Sequence, residues 1–305
     1  MTASKLFRVG TRASPLALAQ TQEVLSKLQA VHRGVEFETT TITTQGDKDQ
    51  RTPLTTLGRG TFVKELESAL LKGTIDFAVH SAKDMPSALP GGLAIAAVAE
   101  RADPRDVLVN RWRLPLDKLP PGARLGTSSP RRTALILAAR PDLKALNIRG
   151  NVGSRLEKAL GADYDGVVLA AAGLLRLGRQ AEITGYLDPE WFTPDAGQGA
   201  LAVEARADDQ RVRGLLAAAD HTPSSLAVHA ERAFVATIGG GCTVPIAAYA
   251  VMNGTRLRIS AMAATPDGTR ISRAQDEYAA DRPEDAGQHI AKKLMDSGAK
   301  EILFL

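Results

Sequence analysis

Cysteine occurs once in the 305 residues, at Cys242, so no internal disulfide can form. A lone thiol fits a reducing compartment, and a cytoplasmic location is expected. No apolar stretch approaches the roughly 18 residues a membrane helix needs. Lys5 and Arg8 break up the apolar residues at the start, so no secretory leader is expected. Aromatic residues make up only 4%, which leaves little to stack on bases, and a net charge of +4 is too mild to argue for nucleic acid. The expected partners therefore include neither membrane nor nucleic acid. The phosphate loop GxxxxGK[ST] is absent, and no His or Cys spacing suits zinc, so no metal is expected. A Ser-His-Asp pattern with a recognisable local signature is missing too.

What remains is ordinary globular material. Hydrophobic residues are 44% and charged residues 24%, enough apolar content for cores in two or three domains. The cations are mostly Arg, which grips carboxylates and phosphates bidentately, although a GC-rich genome yields the same bias. The first part alternates strands and helices. Strands are expected at 5–11, 35–43, 75–80 and 93–99, with helices at 15–30 and 61–72. Ser14 followed by Pro15 reads as a helix cap with Pro at the first helical position. This βαβ order implies a largely parallel sheet. The charged stretch RADPRD (101–106) reads as a crossing point between domains. Alternation then restarts, with strands at 124–127, 146–149 and 166–170 and helices at 130–140 and 152–160. VGTRASP (9–15) and LGTSSP (125–130) echo one another, each at a strand end entering a helix. The tail differs: a helix at 223–238, strands at 245–252, 256–264 and 269–278 with an Asp267-Gly268 turn, a helix at 284–297, and a last strand at 301–304. That order suggests a small α+β domain with an antiparallel sheet.

Three strand-to-helix turns draw attention. Helix N-termini present free N–H groups and the positive end of the dipole, so they attract anions. Thr11-Arg12-Ala13-Ser14 adds a guanidinium to such a turn, and Thr127-Ser128-Ser129-Pro130-Arg131-Arg132 adds hydroxyls and two more. Arg149-Gly150-Asn151-Val152-Gly153-Ser154-Arg155 is the third, and Arg176 follows the strand 166–170. Each alone is explained by helix capping and solvated charge. Together, at strand ends of an open α/β sheet, they favour a ligand with several separated carboxylates. Asp84 ends VHSAKD (79–84), where a carboxylate can act as acid or base, beside Lys83. His80 reads as structural. Cys242 lies in IGGGCTVP (238–245), and the residues alone allow either an inert thiol or an exposed nucleophile or attachment point.

These motifs, with FVKELE (62–67), GQGA (197–200) and GGC (240–242), occur in the order and at the separations found in one family. The chain resembles the porphobilinogen deaminase, or hydroxymethylbilane synthase, family over essentially its whole length. The resemblance implies two lobes like those of periplasmic binding proteins, with mixed, largely parallel sheets, plus the small α+β domain. Residues 198–206 are implied to cross back, so that domain 1 is 1–100 with 198–217, domain 2 is 101–197 and domain 3 is 218–305. The implied reaction joins four porphobilinogen molecules head to tail with release of ammonia, in a monomeric transferase of porphyrin biosynthesis. The implied cofactor is dipyrromethane, attached by a thioether to Cys242. Lys83, Asp84, Ser129, Arg131, Arg132 and Arg155 match cofactor contacts. Arg12, Ser14, Arg149, Arg155, Arg176 and Gln198 match substrate contacts, and Asp84 matches the catalytic carboxylate. The stretch TPLTTLGRGT (52–61), the family's lid over the cleft, is one residue shorter than the family pattern and has Thr56 and Arg59 where Lys is usual. A solute receptor without chemistry would have no use for Cys242 or Asp84, and a transferase for phosphorylated substrates would lack its phosphate loop.

Overall fold

A computed structural model describes residues 5–48, 60–239 and 244–303. The first lobe opens with β1 (Lys5–Thr11), which feeds α1 (Pro15–Val31). Ser14 caps this helix by accepting from Ala17 N at 3.3 Å, and Pro15 occupies its first turn. Then follow β2 (Val35–Thr41), a single turn α2 (Gln45–Lys48), α3 (Lys64–Leu71), β3 (Phe77–Ser81) and β4 (Leu93–Val98). The second lobe contains β5 (Asp106–Asn110), β6 (Arg124–Gly126), α4 (Pro130–Ala139), β7 (Lys144–Leu146), α5 (Val152–Ala159), β8 (Gly166–Ala170), α6 (Ala171–Arg176) and β9 (Gly185–Tyr186). The chain continues through β10 (Leu201–Arg206) and α7 (Gln210–Leu216).

Among the described residues the two five-stranded sheets share one plan. Their orders are β2-β1-β3-β10-β4 and β7-β6-β8-β5-β9. In each, three strands are parallel and the fourth runs antiparallel to both its neighbours. That antiparallel strand is in both cases the one that has just arrived from the other lobe: β5 after residues 99–105, β10 after residues 187–200. The echo between 9–15 and 125–130 marks the equivalent β1–α1 and β6–α4 corners. Ser129 caps α4 through Arg132 N at 3.4 Å, as Ser14 caps α1.

The cores follow from the patterning. Phe7 and Val9 on β1 meet Val24, Leu25 and Leu28 of α1 and Phe77, Val79 and Val203 of the sheet. The opposite sheet face is closed by Leu66 and Leu70 of α3. Burying a side chain of this size contributes about 1.5–3 kcal/mol. The third unit packs α8 (Thr222–Ile238) and α9 (Pro283–Leu294) on one face of an antiparallel sheet of β11 (Ile246–Asn253), β12 (Arg256–Ala264) and β13 (Ile271–Ala279). Its other face places Ala247, Met262 and Ala264 against Leu125 and Leu135 of the second lobe.

The two crossovers touch each other and the third unit. Ala102 N donates to Gly199 O at 3.2 Å. Glu231 of α8, fully buried, accepts from Arg101 Nη1 and Nη2 at 2.9 and 2.8 Å, from Gly197 N at 2.7 Å and from Ala250 N at 2.7 Å. One carboxylate thus joins both crossovers to β11. Glu231→Gln keeps the shape but strips the charge from Arg101, and should lower stability by about 2–3 kcal/mol in urea titrations.

Three local expectations need correction. The strand expected at 301–304 is not formed by its described residues: Lys300–Leu303 is a helical turn, entered through Gly298 at φ 96°. A short apolar run does not by itself distinguish strand from helix. The strand expected at 146–149 lies earlier, at Lys144–Leu146. Asp106, the last residue of the connection expected at 101–106, opens a strand that was not expected, Asp106–Asn110, inside the second sheet.

Candidate functional site

The turn that carries Asp84 is built at the C-terminal end of β3. A 3-10 turn, Ala82–Asp84, follows the strand directly. Ala82 N donates to Ala200 O at 3.0 Å, and Gln20 of α1 donates through Nε2 to Ser81 Oγ at 2.8 Å. Met85, 2% exposed, anchors the far side. Gly197 and Gly199 adopt φ of +76° and +87°. A Cβ on Gly197 would lie 2.9 Å from Lys83 N, and one on Gly199 would lie 2.6 Å from Ala102 O. The GQG sequence therefore lets the return crossover run against both the Asp84 turn and the outgoing crossover. Asp84 itself is half-buried and makes no hydrogen bond or ion pair among the described residues.

Cations from both lobes gather around it. Burial lowers the Lys83 ammonium, the Arg132 charge lowers it further, and Asp84, Asp195 and Asp106 oppose the shift. Burial and the charges of Arg132 and Arg149 bring Arg155 down to about 10, again opposed by Asp84. Arg155 Nε donates to Gly150 O at 2.7 Å, which holds the side chain over its own helix start. Lys83, Arg132, Arg149 and Arg155 therefore share one electrostatic neighbourhood with Asp84. Like charges held this close are costly without an anion.

Behind this group stands Asp106, fully buried at the first position of β5. It accepts from Arg131 Nη1 at 2.7 Å, from Arg132 Nε and Nη2 at 2.9 and 2.6 Å, and from Gln198 Nε2 at 3.0 Å. Burial alone raises its carboxyl, but the two guanidinium groups outweigh that and bring it to about 2. Arg131 also donates to Thr193 O at 2.8 Å and Arg132 to Val168 O at 3.0 Å. Both arginines are thus anchored by the protein, and Arg131 is 3% exposed.

Elsewhere the structure spreads the expected residues out. Arg12 forks onto Asp47 and lies 4.2 Å over the Phe62 ring. Arg176 joins the lobes: it donates to Glu23 of α1 at 2.8 Å and to Gly199 O at 3.1 Å. The hydroxyls of Ser14 and Ser129 serve as helix caps.

Comparison with known proteins bears directly on this arrangement. A family model described as "Porphobilinogen deaminase, dipyromethane cofactor binding domain" matches residues 7–214, and one described as "Porphobilinogen deaminase, C-terminal domain" matches residues 225–296. The chain belongs to the porphobilinogen deaminase family. Curated relatives named porphobilinogen deaminase include one from Roseiflexus castenholzii, 47% identical over 97% of each chain. Another, from Syntrophobacter fumaroxidans, is 44% identical over 98% of this chain and 97% of its own. Like them, this chain is a transferase of tetrapyrrole biosynthesis. Among solved structures, the methionine-binding protein MetQ aligns with 70% of this chain and 89% of its own, at 14% identity and a TM-score of 0.45.

For a porphobilinogen deaminase, two features of the sequence lie outside the described residues: Cys242, and residues 52–59 of the lid with Thr56 and Arg59. Among the described residues no helix is long and apolar enough to cross a membrane. Sequence reasoning missed Asp106, Asp47 and Gln20. Neither Asp106 nor Asp47 carried a local signal, because the arginines they meet are distant in sequence.

Proposed function

We propose that the chain condenses four porphobilinogen molecules head to tail, releasing ammonia at each step, with the cleft beside Asp84 as its active site. The observation that carries this reading is the gathering of Lys83, Arg132, Arg149 and Arg155 in one electrostatic neighbourhood with Asp84, which makes no hydrogen bond or ion pair among the described residues. Each pyrrole ring of the substrate bears two carboxylates, and an excess of desolvated cations suits them. The same donor set fits dipyrromethane, whose two rings bear four carboxylates. Lys83, Arg132 and Arg155 would hold it, tethered through Cys242 in the segment that follows α8. When bound it supplies a fixed primer from which the chain grows.

The protein's own residues then have separable tasks. Lys83, Arg132 and Arg155 neutralise carboxylates and fix ring orientation. Arg12, Arg149 and Arg176, with the hydroxyls of Ser14 and Ser129, extend the anion-binding surface toward incoming substrate. Arg131 acts through Asp106. When ammonia leaves, positive charge develops at the substrate's pyrrole N–H, and Asp84, hydrogen-bonded to no described residue, stabilises it and accepts protons there.

Intact-mass measurement tests the tether. The purified protein is expected to exceed its sequence mass by two linked pyrrole units, and Cys242→Ser to lack that excess. An active protein with an unmodified Cys242 would overturn the assignment.

A further inference from the structure

The resemblance places Gln198 among the substrate contacts, yet the side chain is fully buried and its hydrogen-bonding capacity is spent. A glutamine amide has two donor hydrogens and two acceptor lone pairs. Nε2 donates to Pro104 O at 2.7 Å and to Asp106 Oδ1 at 3.0 Å. Oε1 accepts from Lys83 Nζ at 3.5 Å and Arg132 Nη2 at 3.4 Å. Nothing is left over for a substrate.

The two ends differ in kind. The nitrogen end is tight and holds the outgoing crossover and the start of β5. The oxygen end is loose, and its two partners are like charges from opposite lobes: Lys83 follows β3, Arg132 lies in α4. An uncharged acceptor between two cations offsets their repulsion without neutralising either, so Lys83 keeps its charge for carboxylates while Arg132 stays forked on Asp106. Moving either lobe must stretch or break one of these long bonds first.

We propose that Gln198 is a positioning residue, a strut anchored on Asp106 and Pro104 that sets the separation of Lys83 and Arg132 and hence the opening of the cleft. The proposal rests on the reading that these cations grip substrate or cofactor carboxylates. It makes the return crossover part of the cleft's spacing device and gives Gly197 a reason to run so close to Lys83.

The test uses Gln198→Leu, with Gln198→Asn as a second variant that keeps the amide but shortens it by one methylene. Spin labels on Lys72→Cys and Lys144→Cys, exposed sites on the two lobes, report the inter-lobe distance. Both variants should retain the mass excess, show a longer and broader inter-lobe distance, and raise KM for porphobilinogen about tenfold. The alkaline limb of kcat/KM should move to lower pH. Lys83 loses its acceptor there and still faces Arg132, with Asp84, Asp195 and Asp106 as the opposing charges. A tenfold rise in KM with distance and pH limb unchanged would mean direct substrate contact and overturn the proposal, as would an unaltered KM. If the wild-type protein lacked the mass excess, the reading of the tether would fail, while the distance measurement would still decide the strut.

Discussion

Asp84→Asn should slow chain elongation by about 100- to 1000-fold while leaving porphobilinogen binding within a few-fold of normal. The substitution is isosteric and removes one negative charge from a position flanked by Lys83 and Arg155. Loss of a single fixed group aimed at developing charge typically costs factors of this size, about 3–4 kcal/mol of transition-state stabilisation. Binding should be spared, because in the proposed arrangement the cations, not Asp84, hold the carboxylates of the substrate. Asp84→Glu keeps the charge but displaces it by one methylene, and a loss of about 100-fold is expected from misplacement alone. Single-turnover mixing followed by intact-mass analysis resolves each addition, so a slow step appears as accumulation of a partly elongated species. Neither variant should unfold, since Asp84 has no hydrogen-bond partner among the described residues to lose. Elongation at the normal rate in Asp84→Asn would remove Asp84 from the chemistry.

Asp106→Asn should do the reverse and strike stability first. Asp106 is the shared anion of Arg131 and Arg132, all three nearly or fully buried. Removing one partner from a buried ion pair leaves uncompensated charge and costs about 3–5 kcal/mol. Two guanidinium groups are stranded here, so the upper part of that range is expected in urea titrations at neutral pH. The linkage to pH has a definite sign. The folded carboxyl sits at about 2, against 3.8 for the unfolded group. Its contribution is therefore present above pH 4 and fades as pH falls toward 2, about 2 kcal/mol in all. Asp106→Asn should lose that part of the acid dependence. Activity should fall as well, through Arg132 and Gln198. A variant as stable as the parent at pH 7 would show that Arg131 and Arg132 find other anions.

Much of this was legible from local chemistry. Ser14-Pro15 and Ser129-Pro130 announced helix starts because capping is a matter of adjacent residues, and β1, α1, β8 and α8 followed from their periodicity. The strand at 106–110 was not legible, because an Asp, a preceding Pro and a closing Asn hide the three apolar residues Val107–Val109 from any window. Its carboxylate was harder still. Asp106 meets arginines 25 and 26 residues away and a glutamine 92 residues away. Nothing local distinguishes it from Asp103, which pairs with Arg105 two positions on. The candidate site was readable as a set of cations at strand ends. Which cations face the cleft and which are anchored behind it depends on a crossover that no spacing rule anticipates.

The shared plan of the two sheets also fixes an order of events during synthesis. In the first sheet β4 has β10 as its paired neighbour, and β10 in turn sits beside β3. The first lobe therefore holds an open gap until residue 206 has left the ribosome. The second sheet needs nothing beyond Tyr186. The sheet encoded second has all its strands first, and the sheet that carries Asp84 closes around a strand delivered last, by way of the same crossover that brings Gln198 to Lys83.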